Sequence, residues 1–124
     1  MKDCIFCKII NGEIPTRKVY EDELVIVIMD VEPSENGHML IMPKKHYVDF
    51  TELDDNILLH INFVANKMKE LIYNRLSADG IRFVNNYGLY QVVKHYHLHV
   101  IPAYKNKQKI VDIDEIYNKL IDKN

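Results

Sequence analysis

His95, His97 and His99 alternate with Tyr96 and Leu98 and run into Val100-Ile101-Pro102. Three of the six histidines in the chain fall within five residues. Successive side chains of a β-strand point to opposite faces. The spacing therefore predicts three imidazoles on one face, with Tyr96, Leu98 and Val100 on the other. Imidazole exchanges protons, attacks electrophiles and binds metals near neutral pH. An apolar core would not select three of them, because each buried ring needs hydrogen-bond partners. Two chemistries stay open on the residues alone. One is a metal site that uses all three rings, since H-x-H on a strand is a good ligand pair. The other is nucleophilic catalysis at a phosphorus or acyl centre. The only two cysteines, Cys4 and Cys7, are spaced C-x-x-C. A redox C-x-x-C normally follows a strand and opens a helix, and no strand is predicted ahead of Cys4. Half of a metal site, completed by histidines further on, and two reduced cysteines without a ligand both fit the pattern.

Such rings need a scaffold, and the apolar pattern outlines one. Residues 4–10 read as a short helical turn stopped by Asn11-Gly12. Residues 18–21 read as a short strand, 24–29 and 39–42 as buried strands made of continuous apolar runs, and 32–37 as a loop. Short connections favour antiparallel pairing. Leu53, Ile57, Leu58, Ile61, Val64, Ala65, Met68, Leu71, Ile72 and Leu76 recur at helical spacing over about six turns, with Thr51 or Asp54 as cap. Asp79-Gly80 turns the chain into a strand at 81–84. Residues 85–88 form a loop and 95–101 the last strand. Lys105, Lys107 and Lys109 make an exposed basic stretch. Residues 112–122 form a short helix with Ile113, Ile116, Tyr117 and Leu120 on its apolar face. The order of elements implies an α+β fold: an antiparallel sheet of about five strands, one long helix and a short C-terminal helix. A sheet this small has open edges, which pairing with a second copy would cover.

The chain has 124 residues, suiting one domain (1–124), with 48% hydrophobic and 27% charged residues. A formal net charge of -2 argues against a general electrostatic nucleic-acid binder. No apolar run approaches the roughly 18 residues that a membrane span needs. Nothing reads as a signal peptide, and the expected location is the cytoplasm.

The triad with its following apolar pair resembles the signature of the histidine triad (HIT) family. Cys4-Ile5-Phe6-Cys7-Lys8-Ile9-Ile10-Asn11-Gly12-Glu13-Ile14-Pro15 is similar to the N-terminal segment of that family. Val19-Tyr20-Glu21-Asp22-Glu23 and Met29-Asp30-Val31 are similar to its next strands, and Gly37-His38-Met39-Leu40-Ile41-Met42-Pro43-Lys44-Lys45-His46 to its central block. The likeness covers a core of about 4–104, leaves 105–124 as a tail with no pattern to carry over, and is closest to the zinc-containing bacterial nucleoside phosphoramidase-like branch. It implies a nucleotide hydrolase or transferase acting on the α-phosphorus of a nucleoside monophosphate derivative, either a phosphoramidate or a dinucleoside polyphosphate. His97 would attack phosphorus and form a covalent nucleotidyl-histidine, and His99 would bind phosphate oxygen. Gln91 and Asn85 would contact phosphate and Asp30 the ribose hydroxyls. Phe6, Ile9, Ile28, Val31 and Leu40 would wall the base pocket of a purine, AMP-like ligand. Cys4, Cys7, His46 and His95 would hold one structural zinc per chain. The family also implies a homodimer.

Two positions depart from the pattern. Val92 stands where a small hydroxyl residue is usual at the nucleotide site, and Tyr90 where glycine is usual. They motivate the alternative of a nucleotide-binding or partner-binding protein with weak or vestigial catalysis. His38 reads as ordering a loop, and His60 as structural or interfacial.

Overall fold

The computed structural model describes residues 3–122. Residues 1–2 and 123–124, at the ends of the 1–124 domain and of the 105–124 tail, lie outside the described residues. The elements are α1 (Ile5–Ile10), β1 (Lys18–Glu21), β2 (Val25–Met29), β3 (Met39–Pro43), α2 (Asp55–Leu76), β4 (Gly80–Val84), β5 (Leu98–Ala103) and α3 (Ile113–Ile121). The five strands form one sheet in the order β1-β2-β3-β5-β4, and each neighbouring pair is antiparallel. The expected architecture is thus observed, with α1 as a third helix. Among the described residues, no helix is long and apolar enough to cross a membrane.

The continuous apolar runs of β2 and β3 follow from covering both faces of the sheet, which removes the polar half of the usual alternation. Val25, Val27, Met29, Met39 and Ile41 pack with Ile61, Val64, Met68 and Ile72 of α2 and with Ile116 and Leu120 of α3. Ile26, Ile28, Leu40 and Met42 pack with Cys4 and Phe6 at the N-terminal helix. α2 and α3 share one face, whereas α1 has six residues and covers only part of the other. His38, His97 and His99 border the uncovered part.

β5 begins later than the pattern predicts, at Leu98 rather than residue 95. The preceding backbone bonds elsewhere. The Tyr96 amide donates to the Tyr47 carbonyl at 2.7 Å, and the His97 carbonyl accepts from the Asn85 side chain at 3.3 Å. The alternation still holds through this stretch: Tyr96 and Val100 are buried in the α2 core, with Leu98 against it. In β5, His99 pairs with Leu40 on one side and Val84 on the other. Neither expected cap bonds the start of α2. Asp54 occupies the N-cap position without a capping bond, its carboxylate accepting from the Tyr47 hydroxyl instead. Thr51 belongs to a single 3₁₀ turn, Phe50–Glu52, capped by Asp49.

Gly37 sits just ahead of β3 with φ +93°, a conformation that side-chain-bearing residues rarely adopt. A Cβ there would lie 2.5 Å from Leu76 Cδ1 and 3.1 Å from Pro102 Cγ. Gly37→Ala is expected to lower stability by about 1–3 kcal/mol, read from the urea midpoint. An unchanged midpoint would show that the loop relaxes freely.

Candidate functional site

Cys4 is the N-cap of α1, and its Sγ accepts from the Cys7 amide at 3.3 Å. One helical turn therefore brings both sulfurs to the same end of α1. His95 Nδ1 lies 3.5 Å from each sulfur, and His46 Nδ1 lies 3.3 Å from Cys7 Sγ. All four donor atoms lie within 4.8 Å of one another. A tetrahedral ion with ordinary Zn–S and Zn–N bonds separates sulfur and nitrogen by about 3.5 Å. The donor set fits such an ion.

His95 is fully buried, and its Nε2–H donates to the Pro43 carbonyl at 2.8 Å. That bond fixes the neutral tautomer, so the Nδ1 lone pair faces the sulfurs, as a metal ligand requires. Burial pulls the pKa of His95 down to about 4, helped by the neighbouring His46 and His97, which keeps the lone pair free at neutral pH. Burial and the adjacent Cys4 push the Cys7 thiol up to about 11. Two thiolates side by side need a cation to coexist.

The buried His97 ring is held differently. Its Nδ1–H donates to the His95 carbonyl at 2.8 Å, which leaves Nε2 with its lone pair. Burial lowers its pKa, so the ring is neutral near pH 7. Phe6 packs edge-on against both rings, with centroids 5.9 Å from His95 and 5.0 Å from His97.

His99 takes its orientation from His38. The Ser34 amide donates to His38 Nδ1 at 3.1 Å, so the proton of neutral His38 resides on Nε2. That N–H points at His99 Nδ1, 2.9 Å away, with Asp30 Oδ2 at 3.3 Å. His99 Nδ1 is then an acceptor, and its own proton must sit on Nε2. Burial and the neighbouring His97 and His38 lower the pKa of His99 to about 4. His99 thus presents a neutral N–H donor. The donors of Asp30, His38 and His99 also lie within 4.8 Å of one another. With the His38 proton on Nε2, they form a hydrogen-bonded chain and not a ligand set.

The three triad rings therefore address three different partners: a sulfur pair, a backbone carbonyl and a fourth histidine. Among the described residues, no group of metal donors gathers all three, which removes the reading of the triad as a single metal site.

A cavity of about 680 Å³ lies over the α1 face, a size usual for small-ligand sites. His97 and His99 line it, together with Phe6, Ile9, Ile28, Asp30, Val31, Leu40 and Val92. Two expected residues do not line it. Gln91 is only 4% exposed, and its side-chain nitrogen donates to the carbonyls of Val48 at 2.6 Å and Val93 at 3.2 Å. Asn85 donates to the His97 carbonyl, and its neighbour Asn86 faces the cavity instead. A two-residue Asn-Asn step gives no way to tell the inner side chain from the outer one. Tyr90, marked in the sequence as a departure from the pattern, lines the cavity too, whereas His38, Val93 and the 14–17 segment were missed as cavity residues. His38 sits in the central block quoted above, and its role shows only once β3 and β5 are paired.

Residues 11–106 match the HIT domain family. An uncharacterized HIT-like protein of Methanocaldococcus jannaschii is 44% identical over 122 residues, covering 96% of this chain and 93% of that one. An adenylylsulfatase of Arabidopsis thaliana is 36% identical over 102 residues, which span 81% of this chain and 52% of that protein. A zinc-bound histidine triad family protein of Mycobacterium smegmatis superposes with a TM-score of 0.89 at 31% identity, covering 97% of this chain and 91% of that one. The matched segment contains the whole triad and most of the chain, and the protein belongs to the HIT domain family.

Proposed function

We propose that this protein is a hydrolase acting on the α-phosphorus of a nucleoside monophosphate derivative, through a covalent nucleotidyl-His97 intermediate. The observation that carries the reading is the tautomer of His97: a backbone acceptor holds Nδ1–H and leaves Nε2 as a nucleophile inside the cavity. Membership in the HIT domain family supports it, as does the adenylylsulfatase relative.

In a phosphoramidate, His97 Nε2 forms a bond to phosphorus as the P–N bond breaks. The amine leaves with a proton taken from solvent. Water then attacks phosphorus, the P–His97 bond breaks, and one proton returns to solvent, giving nucleoside monophosphate and free His97. His99 Nε2–H donates to a phosphoryl oxygen, and its strand position fixes the distance. Asp30 accepts from the ribose hydroxyls. Phe6, Ile9, Ile28, Val31 and Leu40 enclose a purine base. Gln91 holds the 88–93 loop in place and does not donate to phosphate.

Cys4, Cys7, His46 and His95 are proposed to hold one zinc ion. With all four positions filled by the protein, the ion would be structural. It would tie α1 to the end of β3 and to the triad segment. The sheet has two edge strands, β1 and β4, and beside β4 Phe83 is exposed near Leu58 of α2. A second copy is proposed to cover this face.

Wild type is expected to release AMP from an adenosine phosphoramidate or a diadenosine polyphosphate, and His97→Ala to lose at least about 10³-fold of that rate. Nucleotide binding without AMP release by wild type would instead establish the binding-module alternative. Purified protein is expected to carry one zinc per chain by elemental analysis, with the thermal midpoint falling on chelation and in Cys7→Ser. Protein free of zinc and indifferent to chelator would sink the assignment. Light scattering at micromolar concentration is expected to give twice the 14.7 kDa chain mass, shifting toward monomer in Phe83→Glu; a monomeric wild type overturns the dimer.

A further inference from the structure

The C-x-x-C pair meets one half of the redox pattern. Cys4 is the N-cap of α1, so the pair opens a helix, although no strand precedes it among the described residues. Both cysteines are free thiols, and their sulfurs lie within 4.8 Å of one another. Cys4 Sγ already accepts from the Cys7 amide at 3.3 Å, so the first turn of α1 holds the two side chains together. An oxidised sulfur at either position meets the other before it meets a second molecule.

A cavity of about 500 Å³ opens over this cluster, lined by Cys4 and His46 with Val48 and Lys94. It adjoins the triad cavity, since Ile5, Val92 and Val93 line both. Cys4 is 8% exposed and Cys7 is partly exposed. Such openings admit a molecule the size of hydrogen peroxide and hinder the in-line approach of a bulky oxidant.

A disulfide and a bound ion exclude each other here. Tetrahedral zinc holds two sulfurs about 3.8 Å apart, whereas a disulfide holds them about 2.05 Å apart. Disulfide sulfurs carry no charge, and the metal ligand is the thiolate. They also have no S–H to donate. Nδ1 of His95, 3.5 Å from each sulfur, and Nδ1 of His46, 3.3 Å from Cys7 Sγ, would lose their partners. His95 is fully buried, so water does not replace them. α1 would then stay joined to the triad segment through Phe6, which packs edge-on against His95 and His97.

We infer that Cys4 and Cys7 form a redox site, at which a small hydroperoxide makes an intramolecular disulfide, displaces the ion held by the four ligands and loosens α1. The displacement rests on the zinc reading above; the disulfide does not. One thiolate attacks the peroxide: an S–O bond forms, the O–O bond breaks, and the departing hydroxide takes a proton to become water. The second thiolate attacks that sulfur: the S–S bond forms, the S–O bond breaks, and a second hydroxide leaves and is protonated. Two electrons pass from sulfur to peroxide, so two thiolates, H2O2 and two protons give one disulfide and two waters.

The test treats full-length, zinc-loaded wild type with a small molar excess of hydrogen peroxide. Intact mass is expected to fall by two hydrogens relative to the reduced chain. A chromogenic chelator is expected to detect one zinc for each disulfide, and dithiothreitol with added zinc to reverse both changes. Amide hydrogen exchange over residues 4–10 is expected to quicken about tenfold. In Cys4→Ser and Cys7→Ser the remaining sulfur is expected to stop at the sulfenic acid, captured as a dimedone adduct. The wild-type readouts decide the question if either variant fails to fold. Zinc-loaded wild type whose thiols outlast the peroxide that oxidises an equal concentration of glutathione overturns the redox site and leaves the zinc reading standing. A disulfide in protein that never takes up zinc does the reverse. Disulfide-linked dimers on a non-reducing gel overturn the intramolecular step, and an oxidised chain with unchanged exchange over residues 4–10 overturns the loosening of α1.

Discussion

The arrangement of the site depends on how one fully buried imidazole is satisfied. His95 has no access to water, so each of its polar atoms needs a protein partner. Nε2–H goes to the Pro43 carbonyl at the end of β3, Nδ1 faces the two sulfurs at the start of α1, and the backbone carbonyl holds His97. Each contact presupposes the others. If the proton sat on Nδ1 instead, Pro43 would face a lone pair and the sulfurs an N–H. The ligand geometry at Cys4 and Cys7 would then be lost, and the segment carrying His97 would lose its anchor. One residue thus couples the cluster at the start of the N-terminal helix to the tautomer of His97, although the two share no side-chain atoms.

Much of this was legible in the sequence where burial follows a simple period. β2 and β3 show as apolar runs, and α2 as a stripe of apolar residues at helical spacing, because both faces of the sheet are covered and one face of the helix is buried. The ligand set Cys4, Cys7, His46 and His95 was reachable only through resemblance to a family, since no period connects residue 7 to residue 95. Failures cluster where side chains replace backbone partners. The ladder stops short of His95 and His97 because ring nitrogens and a side-chain amide use the backbone groups that a strand would use. Asp54 gives up its cap for Tyr47, and Gln91 gives up a ligand for the Val48 carbonyl. Such exchanges are decided by tertiary neighbours that local spacing does not encode.

The tail is the clearest case of function-bearing geometry with no local pattern. Asn36 is buried and fully used: its amide nitrogen donates to Gln108 and to the Lys109 carbonyl, and its side-chain oxygen accepts from the Val111 amide. Gly37 and His38 come next, so the same short loop carries the anchor of the tail and the ring that orients His99. Arg17, beside the cavity, is held by Asp114 at the start of α3. Residues from 108 onward thereby hold both ends of the segment that builds the β2 side of the cavity.

The neutral histidines decide how such a site can treat a phosphate. With Asp30 and Glu32 at the cavity and Arg17 bound to Asp114, no lysine or arginine among the described residues lining the cavity is free to hold a dianion tightly in the ground state. What the site offers is an oriented N–H from His99 and a lone pair from His97. An oriented dipole gains most when charge builds on the oxygen it faces, which happens as phosphorus is attacked. A cationic clamp would bind substrate, intermediate and product with similar strength and slow the departure of each. The proton chain from Ser34 through His38 to His99 is therefore matched to turnover more than to retention.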